Sequence, residues 1–173
     1  MRSAFVKWST LSVLILSPST WAFQAQAADQ NARIDAKGFE SMSQQAFAHR
    51  EKRLVSLSTF LEMSKAPHTL ILDTRSERAF QRKHIKGAVH LNFSDFTAEK
   101  LAKLIPDKNT RILIYCNNNF DDDPQNFPAK SAPLALNIPT FINLYGYGYT
   151  NVYELKDLLS TTDPALVFEG TAT

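Results

Sequence analysis

Apolar runs alternate with polar segments along this chain from about residue 53 onward. The two most apolar runs are typical of strands buried on both faces, and the segments between strands carry apolar residues at helical spacing. The predicted strands cover residues 53–57, 69–73, 88–91, 111–116 and 151–155. The predicted helices cover residues 59–65, 76–83 and 94–105, with a further helix within 131–145. This alternation indicates βαβ units and a mainly parallel sheet, and so the α/β class.

Several residues mark the expected starts of these helices. Thr59 and Glu62 have the spacing of a capping box, which predicts a helix beginning at Thr59. Ser94 or Asp95 is expected to cap the helix that follows the third strand. Pro139 lies within the last predicted helix, so it occupies either the first turn or a kink.

The first 27 residues have the composition of a secretory signal peptide. Arg2 and Lys7 give a positive start, Leu11–Leu16 form an apolar stretch too short to span a bilayer, and Ala25–Ala27 offer a cleavage site. We therefore expect a periplasmic or secreted protein that begins at Ala28 and has no stable membrane insertion after cleavage. An uncleaved N-terminal anchor is the alternative.

Removal of this segment changes the charge balance. The chain has 19 Lys and Arg residues against 17 Asp and Glu residues, and the loss of Arg2 and Lys7 leaves 17 of each. A neutral domain without a basic run gives no electrostatic basis for binding nucleic acid. The mature chain is expected to comprise a loose arm or short helix at 28–50, a main domain at 51–160 and a surface tail at 161–173.

Cys116 is the only cysteine, and it lies at the end of an apolar strand. In open α/β sheets, ligands and catalytic groups collect at this edge. A single thiol in an exported protein cannot form a disulfide within the chain, so it is buried and inert, paired with another molecule, or reactive.

Polar residues follow the cysteine directly. The amides of Asn117, Asn118 and Asn119 could bind an oxyanion or simply form a turn. Asp121–Asp123 are most simply a solvated turn, with a divalent-cation site as the alternative. If these aspartates face the thiol, they raise its pKa and disfavour an anionic substrate. No cofactor and no metal are expected.

A second group of residues follows the strand at 69–73. Asp73 and Arg75 are spaced to form an ion pair that fixes the turn, and Gly87 allows a tight turn after His84. His84 has no second metal ligand at suitable spacing. We expect all four residues to be structural.

The ordered set of motifs resembles the rhodanese (sulfurtransferase) family over about residues 53–158. The first family signature, D-x-R, then F, then H-I-x-G-A, is matched by Asp73–Arg75, Phe80 and His84–Ala88. The second, G-[FY]-x-x-V-[YF]-x-L, is matched by Gly148–Leu155, and a strand ending in Cys116 lies between the two. The resemblance implies a three-layer α/β/α fold around a mainly parallel five-stranded sheet. It also implies that Cys116 is catalytic and takes sulfane sulfur as a persulfide.

The chain departs from the family in the loop after the cysteine. Familiar members have a compact C-x4-R loop that leads straight into a helix, whereas the fifth residue after Cys116 is Asp121 and residues 117–131 form an insertion. Lys130 is the only cation between Cys116 and Gly148, so Asn117–Asn119 and Lys130 are the candidates for substrate binding or loop support. Related cysteine phosphatases need an arginine at the position of Asp122, which argues against phosphatase activity.

Two functions follow from the resemblance and from this departure. The first is a sulfurtransferase in which Cys116 passes sulfur from a small sulfur-containing donor to a thiol or other nucleophile. The alternative is a non-catalytic binding module of the same fold, whose loop 117–131 contacts a protein or small ligand. Transient mixed disulfides are a weaker third role, because the chain has no resolving cysteine.

Overall fold

The two most apolar runs form the centre of a five-stranded parallel sheet in a computed structural model that describes residues 33–172. Strands β2 (Thr69–Asp73) and β5 (Arg111–Tyr115) pair in parallel, with Asp73 opposite Tyr115. The remaining strands of this sheet are β1 (Leu54–Val55), β4 (Ala88–His90) and β6 (Val152–Leu155), and the strand order is β1-β6-β5-β2-β4. The predicted α/β class with a parallel five-stranded sheet is confirmed.

Helices cover the sheet on both faces. They are α1 (Ala36–Arg50), α2 (Leu57–Ser64), α3 (Glu77–Arg82), α4 (Ala98–Leu104) and α5 (Asn137–Gly146). Successive side chains of β5 point to opposite faces, as a strand requires. Ile112 and Ile114 pack with Phe141 of α5 on one face, whereas Leu113 and Phe60 of α2 belong to the core on the other.

A short antiparallel pair lies outside the main sheet. It joins β3 (His84–Ile85) to β7 (Phe168–Glu169), and so attaches the C-terminal tail to the first family signature. In the tail, Leu166 is buried and Phe168 is half-buried, while Val167 is 55% exposed.

The N-terminal arm contains more structure than its polar sequence indicates. Helix α1 runs for 15 residues, and its Ala46 is fully buried in the same core as Phe141 of α5. At its C-terminal end, a ring nitrogen of His49 lies 2.8 Å from the carbonyl oxygen of Thr150. Helix α1 is therefore held by contacts with distant parts of the chain, which local pattern does not reveal.

Two predicted helix caps are wrong. Helix α2 begins two residues before Thr59, because the Ser56 hydroxyl accepts a hydrogen bond from the Thr59 backbone N–H at 3.4 Å. Ser94 and Asp95 lie in a 3-10 helix, Phe93–Asp95. Helix α4 starts later because the hydroxyl of Thr97 caps it.

The last helix resolves the position of Pro139. Helix α5 begins at Asn137, so Pro139 lies in its first turn, where a missing N–H costs no helical hydrogen bond. The helix ends where Gly148 adopts a φ of 84° and donates a hydrogen bond to the Tyr145 carbonyl at 2.9 Å. A left-handed residue of this kind commonly follows a helix C-terminus, and it is usually glycine.

The expected signal peptide, residues 1–27, lies outside the described residues. Within residues 33–172, no helix combines the length and apolar character needed to cross a bilayer.

The segment 117–136 is packed against the tail. It contains two 3-10 helices, Asn117–Asn119 and Ala132–Leu134. Phe120 and Phe127 are buried, and the centroids of their rings are 4.3 Å apart. Phe120 also forms an isolated β-bridge with Leu159. The carboxylate of Asp122 accepts hydrogen bonds from the Ser160 hydroxyl and the Thr161 backbone N–H.

Candidate active site

Cys116 lies directly after β5, at the carboxyl edge of the sheet. The residue is only 2% exposed. Its backbone N–H donates a hydrogen bond of 2.9 Å to Oδ1 of Asn119, and its carbonyl accepts one from the Asn119 N–H. The cysteine is therefore held in place by the first turn of the loop that follows it.

The N-terminus of α5 reaches the thiol despite the enlarged loop. Burial raises the pKa of the Cys116 thiol above its ordinary value of 9.0, and the charge of Glu154 raises it further. Backbone N–H groups of Asn137, Asn118 and Leu136 act in the opposite direction and lower the pKa, because an N–H dipole near the sulfur favours its anionic form. Three main-chain N–H groups therefore favour an anion, thiolate or persulfide, at this cysteine.

Asn119 joins the three segments that build this site. Besides binding Cys116, its Oδ1 accepts a hydrogen bond from Nδ2 of Asn137 at 3.2 Å. Its Nδ2 donates to the carbonyls of Leu155 at 2.8 Å and Asp157 at 3.0 Å. One buried amide therefore fixes the end of β5, the start of α5 and the end of β6 relative to one another.

A cavity of about 260 Å³ opens beside the thiol. Its polar walls come from the loop, from the start of α5, from the end of β6 and from α1. The residues that line it are Arg50, Leu54, Cys116, Asn118, Asn119, Ala132, Ala135, Asn137, Ile138, Glu154, Leu155 and Lys156. A small ligand in this cavity would contact the cysteine and charged groups of both signs.

The charged groups in this cavity are Arg50, Glu154 and Lys156, none of which the sequence predicted as site residues. Nε of Arg50 lies 2.5 Å from Oε2 of Glu154, and Nη2 lies 2.6 Å from Oε1, so the ion pair is bidentate. The two residues are 104 positions apart, and Arg50 ends a segment expected to be an arm. The sequence signal was the charge of Glu154, at one of the three variable positions of the second family signature.

Asn118 and Lys130 close the loop on itself. Nδ2 of Asn118 donates to the Lys130 carbonyl at 2.7 Å, and Oδ1 of Asn118 accepts from the Lys130 N–H at 3.0 Å. Lys130 is exposed and does not line the cavity. Asn117 is buried, and its Oδ1 has no hydrogen-bond partner among the described residues. The contacts of Asn118 are those of loop support.

Two of the three loop aspartates, Asp122 and Asp123, have side-chain partners away from the thiol. Asp122 binds the tail, and its pKa is lowered chiefly by the hydrogen bond from the Ser160 hydroxyl. Asp123 forms an ion pair of 3.0 Å with Lys83 and accepts hydrogen bonds from Asn126. Across residues 33–172, no group of three or more His, Cys, Asp or Glu side chains is arranged to hold a metal ion. The carboxylate that raises the pKa of Cys116 is Glu154.

Asp73 and Arg75 form a buried ion pair next to the cysteine strand. Nη2 of Arg75 lies 2.6 Å from Oδ2 of Asp73, which also accepts a hydrogen bond of 2.6 Å from the Tyr115 hydroxyl. Burial lowers the pKa of Arg75, but the hydrogen bond and charge of Asp73 outweigh it and the net shift is upward. The guanidinium also donates to the carbonyls of Lys83 and Asn126, so the pair anchors the inserted loop.

His84 and Gly87 shape the turn that follows. A ring nitrogen of His84 lies 2.7 Å from the Phe80 carbonyl, and the ring stacks on Phe80 with centroids 3.8 Å apart. Gly87 has a φ of 79°, a conformation that favours glycine. Neither residue lines the cavity at Cys116.

A family model described as "Rhodanese-like domain" matches residues 56–157, which is more than half of the chain. The protein therefore belongs to the rhodanese-like domain family. Helix α1, and with it Arg50, precedes the matched residues.

The chain is similar to several individual proteins. It is 33% identical to thiosulfate sulfurtransferase PspE of Escherichia coli (strain K12) over 46 residues, which are 27% of this chain and 43% of PspE. The chain thus spans less than half the length of this curated relative. A solved rhodanese with anions from E. coli is 22% identical, with 60% of this chain and 99% of that chain covered and a TM-score of 0.40. Thiosulfate sulfurtransferase from Pseudomonas aeruginosa is 20% identical, with 75% and 23% covered and a TM-score of 0.46.

Proposed function

We propose that this protein is a sulfurtransferase that carries sulfane sulfur as a persulfide on Cys116. The observation that carries the proposal is the place of Cys116 directly after β5, in a cavity that Asn137 at the start of α5 also lines. The backbone N–H groups of Asn118, Leu136 and Asn137 act there to lower the pKa of the thiol. These donors favour the anionic form of a thiol or persulfide without adding a titratable group. They remain in place although the loop of this family member is enlarged and has no arginine.

The reaction has two displacements. The Cys116 thiolate attacks the outer sulfur of a donor such as thiosulfate, the substrate in the name of the E. coli relative. A new sulfur–sulfur bond forms on Cys116, the sulfur–sulfur bond of thiosulfate breaks, and sulfite leaves with the electron pair. An acceptor thiolate then attacks the outer persulfide sulfur and regenerates the Cys116 thiolate, so no external oxidant or reductant is consumed.

Mass spectrometry of the intact protein tests this function. The reduced protein is incubated with thiosulfate or inorganic polysulfide, and we expect a gain of one sulfur mass that cyanide or dithiothreitol removes. Because Cys116 is the only cysteine, Cys116→Ser must abolish the gain completely. The absence of an adduct with every donor, together with no thiocyanate formed from cyanide, would contradict the proposal.

A non-catalytic binding module is the alternative, and the burial of the thiol favours it. A cysteine that is 2% exposed and has a raised pKa is a poor nucleophile until the site opens. This alternative predicts that a ligand of the cavity binds equally well to the wild type and to Cys116→Ser. It also predicts that no persulfide forms with any donor.

The proposed setting is the periplasm or the extracellular space. The support is the signal-like composition of residues 1–27. Expression of the full chain in a bacterium, followed by fractionation and intact-mass measurement, is expected to yield a soluble periplasmic form that begins at Ala28. A cytoplasmic form with the complete N-terminus would contradict this proposal.

A further inference from the structure

The cavity beside Cys116 contains cations that do not come from the active-site loop. Arg50 lies at the end of α1, before the residues that match the family model, and Lys156 follows the last strand of the sheet. Both residues line the cavity together with Cys116. The loop cation Lys130 does not. Two segments that the sequence did not associate with the thiol therefore contribute positive charge to its cavity.

Arg50 has donor groups to spare. Its bidentate pair with Glu154 uses Nε and Nη2, so Nη1 is not engaged in that pair. The side chain of Glu154 is 7% exposed and that of Arg50 is 23% exposed, so the guanidinium is the more accessible partner. A planar guanidinium of this kind can bind a carboxylate on one edge and a second oxyanion on another.

The charges that line the cavity favour an anion. Arg50 and Lys156 are opposed by the single carboxylate of Glu154, so the walls carry one net positive charge while the thiol is protonated. Of the three loop carboxylates, Asp122 is bound to the tail and Asp123 to Lys83, and none of the three lines the cavity. An incoming oxyanion therefore meets cations and main-chain N–H groups in a partly enclosed space, where charge interactions are stronger than in bulk water.

We propose that Arg50 and Lys156 form the anion-binding part of the Cys116 cavity and hold the oxygens of sulfane donors that carry an anionic sulfonyl group, such as thiosulfate. The inference rests on the proposed sulfur transfer from such a donor and adds the residues that bind and select it. These cations bind the sulfonyl oxygens while the Cys116 thiolate attacks the outer sulfur, and they stabilise the sulfite that leaves. Arg50 also offsets the charge of Glu154 next to the thiol.

Two kinds of reaction at Cys116 separate anion binding from thiol reactivity. The first is persulfide formation from thiosulfate, and its rate is measured by mass spectrometry of the intact protein. The second is alkylation with iodoacetate and iodoacetamide, which are similar in size but differ in charge. We expect Arg50→Gln and Lys156→Gln each to slow thiosulfate loading by at least about tenfold, the size of one charge-assisted hydrogen bond. The ratio of the iodoacetate rate to the iodoacetamide rate is expected to fall in parallel.

Variants of Glu154 distinguish anion binding from the loss of a buried ion pair. Arg50→Gln leaves Glu154 buried without its partner, whereas the double variant Arg50→Gln/Glu154→Gln restores an uncharged pair. We expect the double variant to alkylate normally with iodoacetamide yet to load slowly from thiosulfate. Glu154→Gln alone is expected to load faster than the wild type. Arg78→Gln, an exposed change on α3 away from the cavity, is the matched control and is expected to change neither reaction.

The outcomes that overturn this inference differ from those that overturn the sulfurtransferase function. Full thiosulfate loading by the double variant would show that Arg50 acts only as a partner of Glu154. Wild-type protein that forms a persulfide from polysulfide but not from thiosulfate would refute the donor class and leave sulfur transfer intact. Wild-type protein that forms no persulfide from any donor would remove both proposals.

Discussion

Replacement of Asn119 by Ala tests whether one buried amide holds the candidate site together. The change removes four side-chain hydrogen bonds, which join Asn119 to Cys116, Asn137, Leu155 and Asp157. Among the described residues that line the cavity, no other side chain forms hydrogen bonds that connect three segments at this edge of the sheet. The expected result is a loss of both stability and alignment at Cys116.

The magnitude follows from the number and burial of these bonds. A hydrogen bond contributes a net stabilisation of about 1 kcal/mol, which gives about 4 kcal/mol for the four bonds of Asn119. Water that enters the space left by the amide replaces some of these hydrogen bonds. We therefore expect the free energy of unfolding to fall by about 2–4 kcal/mol. Asn119 is 5% exposed, which limits how many water molecules can do so.

Urea unfolding measures this loss, with Asn118→Ala as the matched control. Asn118 makes two hydrogen bonds to the exposed backbone of Lys130, where water replaces them readily, so its truncation is expected to cost less than about 1 kcal/mol. At an unchanged slope of about 2 kcal/mol per molar urea, Asn119→Ala should lower the midpoint by roughly 1–2 M. Equal midpoints for the two variants would refute the role assigned to Asn119.

Other predictions concern the thiol and the buried ion pair behind it. Because burial raises the pKa of Cys116, its alkylation rate with iodoacetamide should still be increasing with pH at pH 9.0, and a plateau below that pH would contradict the raised pKa. Arg75→Met should destabilise the fold by about 3–5 kcal/mol in urea unfolding, because it leaves Asp73 charged and buried; a loss below about 1 kcal/mol would argue against an essential pair. Tyr115→Phe removes a hydrogen bond to Asp73 and leaves the Ile85 N–H without that acceptor, so a loss of about 1–3 kcal/mol is expected, and an unchanged midpoint would contradict it.

Local pattern was sufficient for the central sheet and for the place of Cys116. The central residues of β2, Leu70–Leu72, and of β5, Ile112–Ile114, are all apolar because both faces of these strands are covered, and this gives a clear signal in the sequence. The ion pair in the turn at Asp73–Arg75 could also be predicted, because its two charged residues lie only two positions apart. The first residues of the helices were harder to predict, since several Ser, Thr and Asp residues near each start can act as the N-cap and packing decides which one does.

The walls of the cavity could not be predicted in this way. Arg50 reaches Glu154 across 104 positions, and the length of α1 depends on burial of Ala46 against a helix near the other end of the chain. The loop aspartates were similarly ambiguous, because their partners Lys83 and Ser160 lie some 40 positions away along the chain. Contacts of this kind leave no periodic trace in the sequence.

The inserted loop and the C-terminal tail depend on each other. Phe120 pairs with the backbone of Leu159, Asp122 binds the tail, and Phe127 packs beside Phe168 of β7. Without the tail, the loop would expose two large aromatic side chains; without the loop, the tail would lose its apolar support. The two segments therefore form one accessory unit, and we expect evolution to have gained them together and relatives with a compact loop to lack this tail.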